Sequence, residues 1–131
     1  MTRVPDWENR LAETLAEWNA REFRWDRDCA RRAAACAIAV TGEDPLADLR
    51  SQYRTKREAM ALLAETPMAD RLDGLFSRVH PAFAQRGDIA LVEDSCLGIV
   101  LGGEASCDSA EGGVRMIARA DWQAVWGVGH G

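Results

Sequence analysis

Phe23-Arg24-Trp25-Asp26-Arg27-Asp28-Cys29, followed by the alanine-rich run from Ala30 to Val40, is the stretch on which the reading turns. An aromatic-flanked, charged segment leads into a helix, with Asp28 as candidate N-cap and Cys29 in the first turn. Cys29, Ala33, Cys36, Ala37 and Val40 then share one face. So many alanines let the helix approach a sheet or another helix closely, and Thr41-Gly42 supplies its stop. A thiol in a first helical turn meets the dipole and unpaired amides, both of which favour thiolate. Arg24, Arg27, Arg31 and Arg32 push the same way and Asp28 opposes. The plainer reading stands beside this one: unpaired cysteine often serves as a small buried hydrophobe.

Upstream, Pro5 suits a helix start, with Asp6 and Glu8 at the positive end of the dipole. Trp7, Leu11, Leu15 and Trp18 follow at helical spacing, which predicts an amphipathic helix to about Arg21 with its tryptophans in the core. Downstream, Asp44-Pro45 opens a short helix through about Gln52. Thr55 with Glu58 forms a capping-box pattern for a helix from Lys56 to Glu65. Pro67 separates this from a helix over 68–76.

After His80-Pro81 the pattern changes. Ile89-Ala90-Leu91-Val92 and Leu97-Gly98-Ile99-Val100-Leu101 read as buried strands of an antiparallel hairpin, with further strands near 105–107 and 113–118. Asp121 caps a short segment carrying Trp122 and Val125-Trp126, and 127–131 reads as a tail. Trp122 and Trp126 suit either a cap on the sheet or a partner-binding patch. Helices first and an antiparallel sheet second predict an α+β class with the cysteine-bearing helix packed on the sheet. The whole, 1–131, reads as one domain, with a helical part 5–76, a sheet part 87–118 and a C-terminal segment 119–131.

Composition narrows the function classes. A net charge of −5 lacks the basic footprint of a nucleic-acid binder. Four cysteines at spacings of Cys29-x6-Cys36 and Cys96-x10-Cys107, with His80 and His130 the only histidines, match no zinc pattern, so neither metal nor other cofactor is expected. The expectation is reduced thiols in a protein made in a reducing compartment. Neither a signal peptide nor a run long enough to span a bilayer is visible.

The order aromatic-x-Trp-x-x-Asp-Cys, then Gly87-Asp88-Ile89-Ala90-Leu91-Val92, then Leu97-Gly98-Ile99-Val100-Leu101-Gly102, resembles the NlpC superfamily of papain-like cysteine peptidases, which cut bacterial cell-wall peptides. It is similar over nearly its whole length to a family of short phage and prophage tail-region proteins, including Thr41-Gly42, Tyr53-x-Thr55 and a tryptophan near the end. The resemblance implies a minimal papain-like domain. It puts Cys29 on the nucleophile, with its own N–H at an oxyanion hole, and Trp25 and Asp28 beside the pocket.

The same resemblance places the histidine base just before the Leu-Gly-Ile strand, where this chain has Cys96. Ser106, Asp108 and Ser109 are loose candidates for the residue that orients the base, and His80 is a substitute base; His130 falls in the tail. A thiolate without an imidazole lacks a proton donor for the leaving amine. The functional expectation is therefore a catalytically degenerate structural or assembly protein of a phage tail tip. Such a protein is made in the bacterial cytoplasm, carried in the virion tail, and partnered by other tail proteins. The alternative is an active cysteine peptidase or amidase acting on cell-wall peptides during entry.

Overall fold

The computed structural model describes residues 1–20, 29–93, 96–108 and 113–130, apart from the side chains of residues 49 and 50. Within them the class is α+β, with five helices and one antiparallel sheet of five strands. The helices are α1 (Trp7–Asn19), α2 (Cys29–Thr41), α3 (Ala47–Arg50), α4 (Lys56–Glu65) and α5 (Met68–Asp73). The strands are β1 (Ile89–Glu93), β2 (Cys96–Val100), β3 (Glu104–Asp108), β4 (Val114–Ala118) and β5 (Ala124–Trp126), in sheet order β4-β3-β2-β1-β5.

Local chemistry sets several of these limits. α4 begins where Thr55 Oγ1 accepts the Glu58 N–H, and Glu58 reaches back to accept the Arg54 N–H, which completes the box. α2 stops because Gly42 adopts φ +77°, a left-handed conformation that costs glycine nothing, while its N–H closes on the Ile38 carbonyl at 2.7 Å. α5 is shorter than the 68–76 expected, ending at Gly74, and Leu75 is exposed.

α2 is the pivot of the packing. Ala30, Ala33, Ala34, Cys36, Ala37 and Val40 are buried, so the helix is covered on most of its circumference by α1 and by the sheet. The sheet face toward α1 and α2 carries Ile89, Leu91, Leu97, Ile99 and Trp126. The opposite face carries Ala90, Val92, Val100, Ala105, Cys107 and Val125, covered by Trp122. Alternation along each strand makes this two-sided arrangement.

Three expectations need correction. Residues 127–131 do not behave as a tail over their described part: Val128 is fully buried and Thr2 bridges His130. Val125-Trp126 belongs to a fifth strand that pairs with β1, Ile89 facing Trp126, so Trp122 and Trp126 cover and extend the sheet as buried residues. Trp7 and Trp18 are half-buried at the margin instead of in the core; Trp7 has the Arg3 guanidinium stacked 4.3 Å above its ring.

The C-terminal segment is held by a buried carboxylate. Asp88 is fully buried, and it accepts from Arg3 (3.0 Å), the Val128 N–H (3.0 Å) and the Gln85 N–H (2.8 Å). The His130 ring, through Nε2, lies 2.8 and 2.9 Å from its two oxygens. Asp88→Ala strips these donors of their acceptor inside the protein and is expected to cost about 3 kcal/mol or more. His130→Ala, a partly exposed partner, should cost about 1 kcal/mol or less. Urea denaturation of the two variants reads the difference, and equal losses would contradict the buried-hub account.

Candidate functional site

Cys29 is the first residue of α2 and is half-buried, so the fully buried structural role does not describe it. Trp25 and Asp28, expected to wall its pocket, lie outside the described residues, as do Arg24, Arg27 and Ser109. The remaining arginines of that group are engaged elsewhere. Arg31 stacks over Tyr53 at 4.4 Å and donates to its carbonyl. Arg32 is fully buried and crosses to β3, donating to the Ser106 carbonyl at 2.8 Å and to Ser106 Oγ, with Asn19 Oδ1 at 3.1 Å. Asp108 stands 3.6 Å from its Nε. Ser106 and Asp108 thus serve the α2–β3 tie.

Cys96 begins β2, half-exposed, and packs with Cys107 on the sheet face away from α2, with Cys29 as a further neighbour that influences its thiol. Cys29 itself packs against the cluster on the α2 side of the sheet. Cys107 is a third thiol that the sequence reading did not single out. Cys107 sits on β3, buried, on the sheet face away from α2.

Its sulfur lies over Gly98: a Cβ at Gly98 would come within 2.6 Å of Cys107 Sγ, 3.2 Å of the Ala105 Cβ and 3.3 Å of the Ser106 carbonyl oxygen. The glycine is what lets the third sulfur reach across β2. The signal for Cys107 was available only through register. Ile99 faces Ser106, and continuing that pairing sets Cys107 across from Gly98, two residues from Cys96 on the same face.

Hydrogen bonds from Cys107 and then Cys29 hold Cys96 well below the usual thiol range against its burial, and the Arg115 cation adds to the effect. Cys107 is pushed up because its S–H donates to Cys96 and keeps its proton, because it is buried, and because it faces negative charge on Cys96; Arg32 and Arg115 only partly offset this. Arg115, facing Cys107 in the β3–β4 register, is itself paired with Glu93 at 2.7 Å. Cys36, in the core of α2, is pushed up to about 12, chiefly by burial. Such a thiol is inert at neutral pH.

The two histidines stand elsewhere. His80 is exposed; its Nδ1 accepts the Ala82 N–H at 3.0 Å and so caps the short 3-10 turn Pro81–Phe83, its ring edge-on to Phe83. His130 is bound to Asp88. Among the described residues no group of three or more metal-type side chains has metal-binding geometry. An open groove of about 410 Å³ lies between α1 and α2, lined by Arg10, Glu13, Glu17, Trp18 and Ile38 among others, and includes none of the thiols.

The Gly98–Cys107 contact makes a direct prediction. Gly98→Ala should destabilise by about 1–3 kcal/mol, the usual cost of overpacking. Placing it in a Cys107→Ala background should recover about half of that loss, because the nearest clash is with the sulfur. A thermal or denaturant double-mutant cycle showing no coupling would exclude the packing explanation.

None of the curated proteins matches the chain. A family model described as a domain of unknown function, DUF6950, matches residues 2–128, from Thr2 through α2 and the sheet to the buried Val128. The chain belongs to the DUF6950 family.

Proposed function

We propose that the protein is a structural or assembly component of a phage tail tip, built on a scaffold similar to that of papain-like NlpC peptidases and without their Cys–His chemistry. The observation that supports this most is that the starts of α2 and β2, the positions expected of a nucleophile and its base, carry Cys29 and Cys96, so the second group is also a thiol.

A thiol held below its usual range, as Cys96 is, makes a poorer base than an imidazole for the proton that a leaving amine requires. Acid–base help of this kind is typically worth on the order of a hundred- to ten-thousand-fold. Neither histidine stands in for it: His80 caps a turn and His130 holds Asp88. Residues inherited from a catalytic scaffold can persist in a protein whose role is now to fit against its neighbours, since a fold outlasts any one function. Its partners on this reading are other tail proteins.

Two measurements test the reading together. Mass spectrometry of purified virions or induced prophage particles should find the protein at a fixed ratio to other tail proteins; absence from the particle excludes the tail role. Purified protein incubated with cell-wall peptide should show no turnover above that of Cys29→Ala. A wild-type rate at least about a hundredfold higher would instead establish the active cysteine peptidase or amidase.

A further inference from the structure

The sheet is finished at one edge and open at the other. Outside β5, the Val79 N–H donates to the Val125 carbonyl and the Gly127 N–H to the Ser77 carbonyl, both at 3.0 Å, and Arg78 bridges Trp126. β4 ends the sheet on the other side, and among the described residues no strand or bridge lies beyond it. Exposed edges are normally guarded by a proline, a bulge, a very short strand or an outward charge. β4 instead pairs with β3 over all five of its residues and carries no proline. Its one charge, Arg115, is turned to Glu93 at 2.7 Å.

Register fixes which backbone groups of β4 point outward. The Arg119 N–H donates to the Gly103 carbonyl at 3.0 Å, one step beyond the β3–β4 ladder. Bonded pairs alternate along an antiparallel ladder, so Ile117 with Ala105 and Arg115 with Cys107 exchange the inward bonds. Val114, Met116 and Ala118 therefore turn their N–H and C=O groups away from β3. Ile117 packs with the cluster on the face away from α2. Alternation then puts the side chains of Val114, Met116 and Ala118 on the α2 side, where Met116 is 46% exposed and Ala118 is exposed.

We propose that β4 is a dimerisation strand: the β4 edges of two copies of this chain pair antiparallel about a two-fold axis at Met116, joining their sheets into one. The strand fits its own edge in hydrogen bonding. With the axis at Met116, Val114 meets Ala118, Met116 meets Met116 and Ala118 meets Val114, which makes about six backbone hydrogen bonds. The same residues of both copies form a continuous apolar strip on the α2 side.

Charge selects the same register. Arg115 falls opposite Ile117 and Arg119 opposite Gly113, so no like charges meet. Moving the axis to Arg115 sets the two Arg115 side chains against each other, and moving it to Ile117 sets Arg115 against Arg119. Either places like charges directly opposite, which is unfavourable. Axes at Val114 or Ala118 leave part of the strand unpaired. The resulting interface is isologous, the same patch on both copies, and it stands or falls separately from the tail role.

Sedimentation equilibrium of the full-length protein over a concentration series should show a monomer–dimer equilibrium. Met116→Lys, a change at an exposed side chain, should raise the dimer Kd about fivefold or more by setting two cations together, with an unchanged circular dichroism spectrum. Met116→Glu should do the same. An equimolar mixture of the two variants should recover the wild-type Kd or better, since only self-pairing at 116 makes them complementary. Hydrogen exchange on wild type, which needs no variant, should slow at the Val114, Met116 and Ala118 amides as concentration rises. A monomer at every concentration, a dimer untouched by Met116→Lys, or a mixture no tighter than either variant alone would each overturn the proposal. So would protection of these amides only by an added, unrelated extended peptide.

Discussion

The Asp88 carboxylate is the contact on which the chain's closure depends. A carboxylate with no exposure must be matched by donors, because an unpaired buried charge costs several kcal/mol. Here the donors come from two remote parts of the sequence, Arg3 near one end and Val128 with His130 near the other, and from Gln85 in the turn just before β1. Arg3 extends the network by donating to the Val128 and Arg86 carbonyls. Burial lowers the Arg3 pKa while Asp88 opposes that fall, so each charge is what makes the other tolerable there. Because Ile89 starts β1 at the next residue, the same anchor sets the strand between β2 and β5 and brings β5 into register.

That dependence explains which parts of the fold were legible. α2 was readable to its last residue because Gly42 is a local stop, and α4 because Thr55 and Glu58 form a local cap. β1 through β4 were readable because short apolar runs alternate with glycine-containing turns. β5 was not, since three residues are too few to show a period and its partner strand is far away in sequence. The end of the chain looked like a tail for the same reason. Nothing local in Gly127-Val128-Gly129-His130 says that a carboxylate beside β1 is waiting for it. Trp7 and Trp18 obeyed the helical period but lie at the margin of the core, so periodicity gave their face and not their depth.

The site divides along the same line between local and long-range information. Cys29 at a helix start and Cys96 at a strand start were both visible as positions. Cys107 was invisible because its place depends on strand register and on the missing side chain at Gly98. Arg32 was misjudged for a related reason. In sequence it reads as one more positive charge favouring a thiolate at Cys29, but Ser106 and Asn19 give its guanidinium partners inside the protein. A buried arginine is signalled by its distant acceptors and not by its neighbours in sequence.

What the thiol cluster does chemically follows from how an imidazole and a thiol differ. An imidazole beside a thiol separates the proton from the nucleophile and stays basic enough near neutrality to hand it on. A second thiol in that position competes for the same negative charge. Hydrogen bonding from Cys107 and Cys29 lowers the Cys96 pKa, and what stabilises negative charge on that sulfur also lowers its basicity. A thiol standing where an imidazole is expected is therefore a poor carrier of the proton that a leaving amine requires.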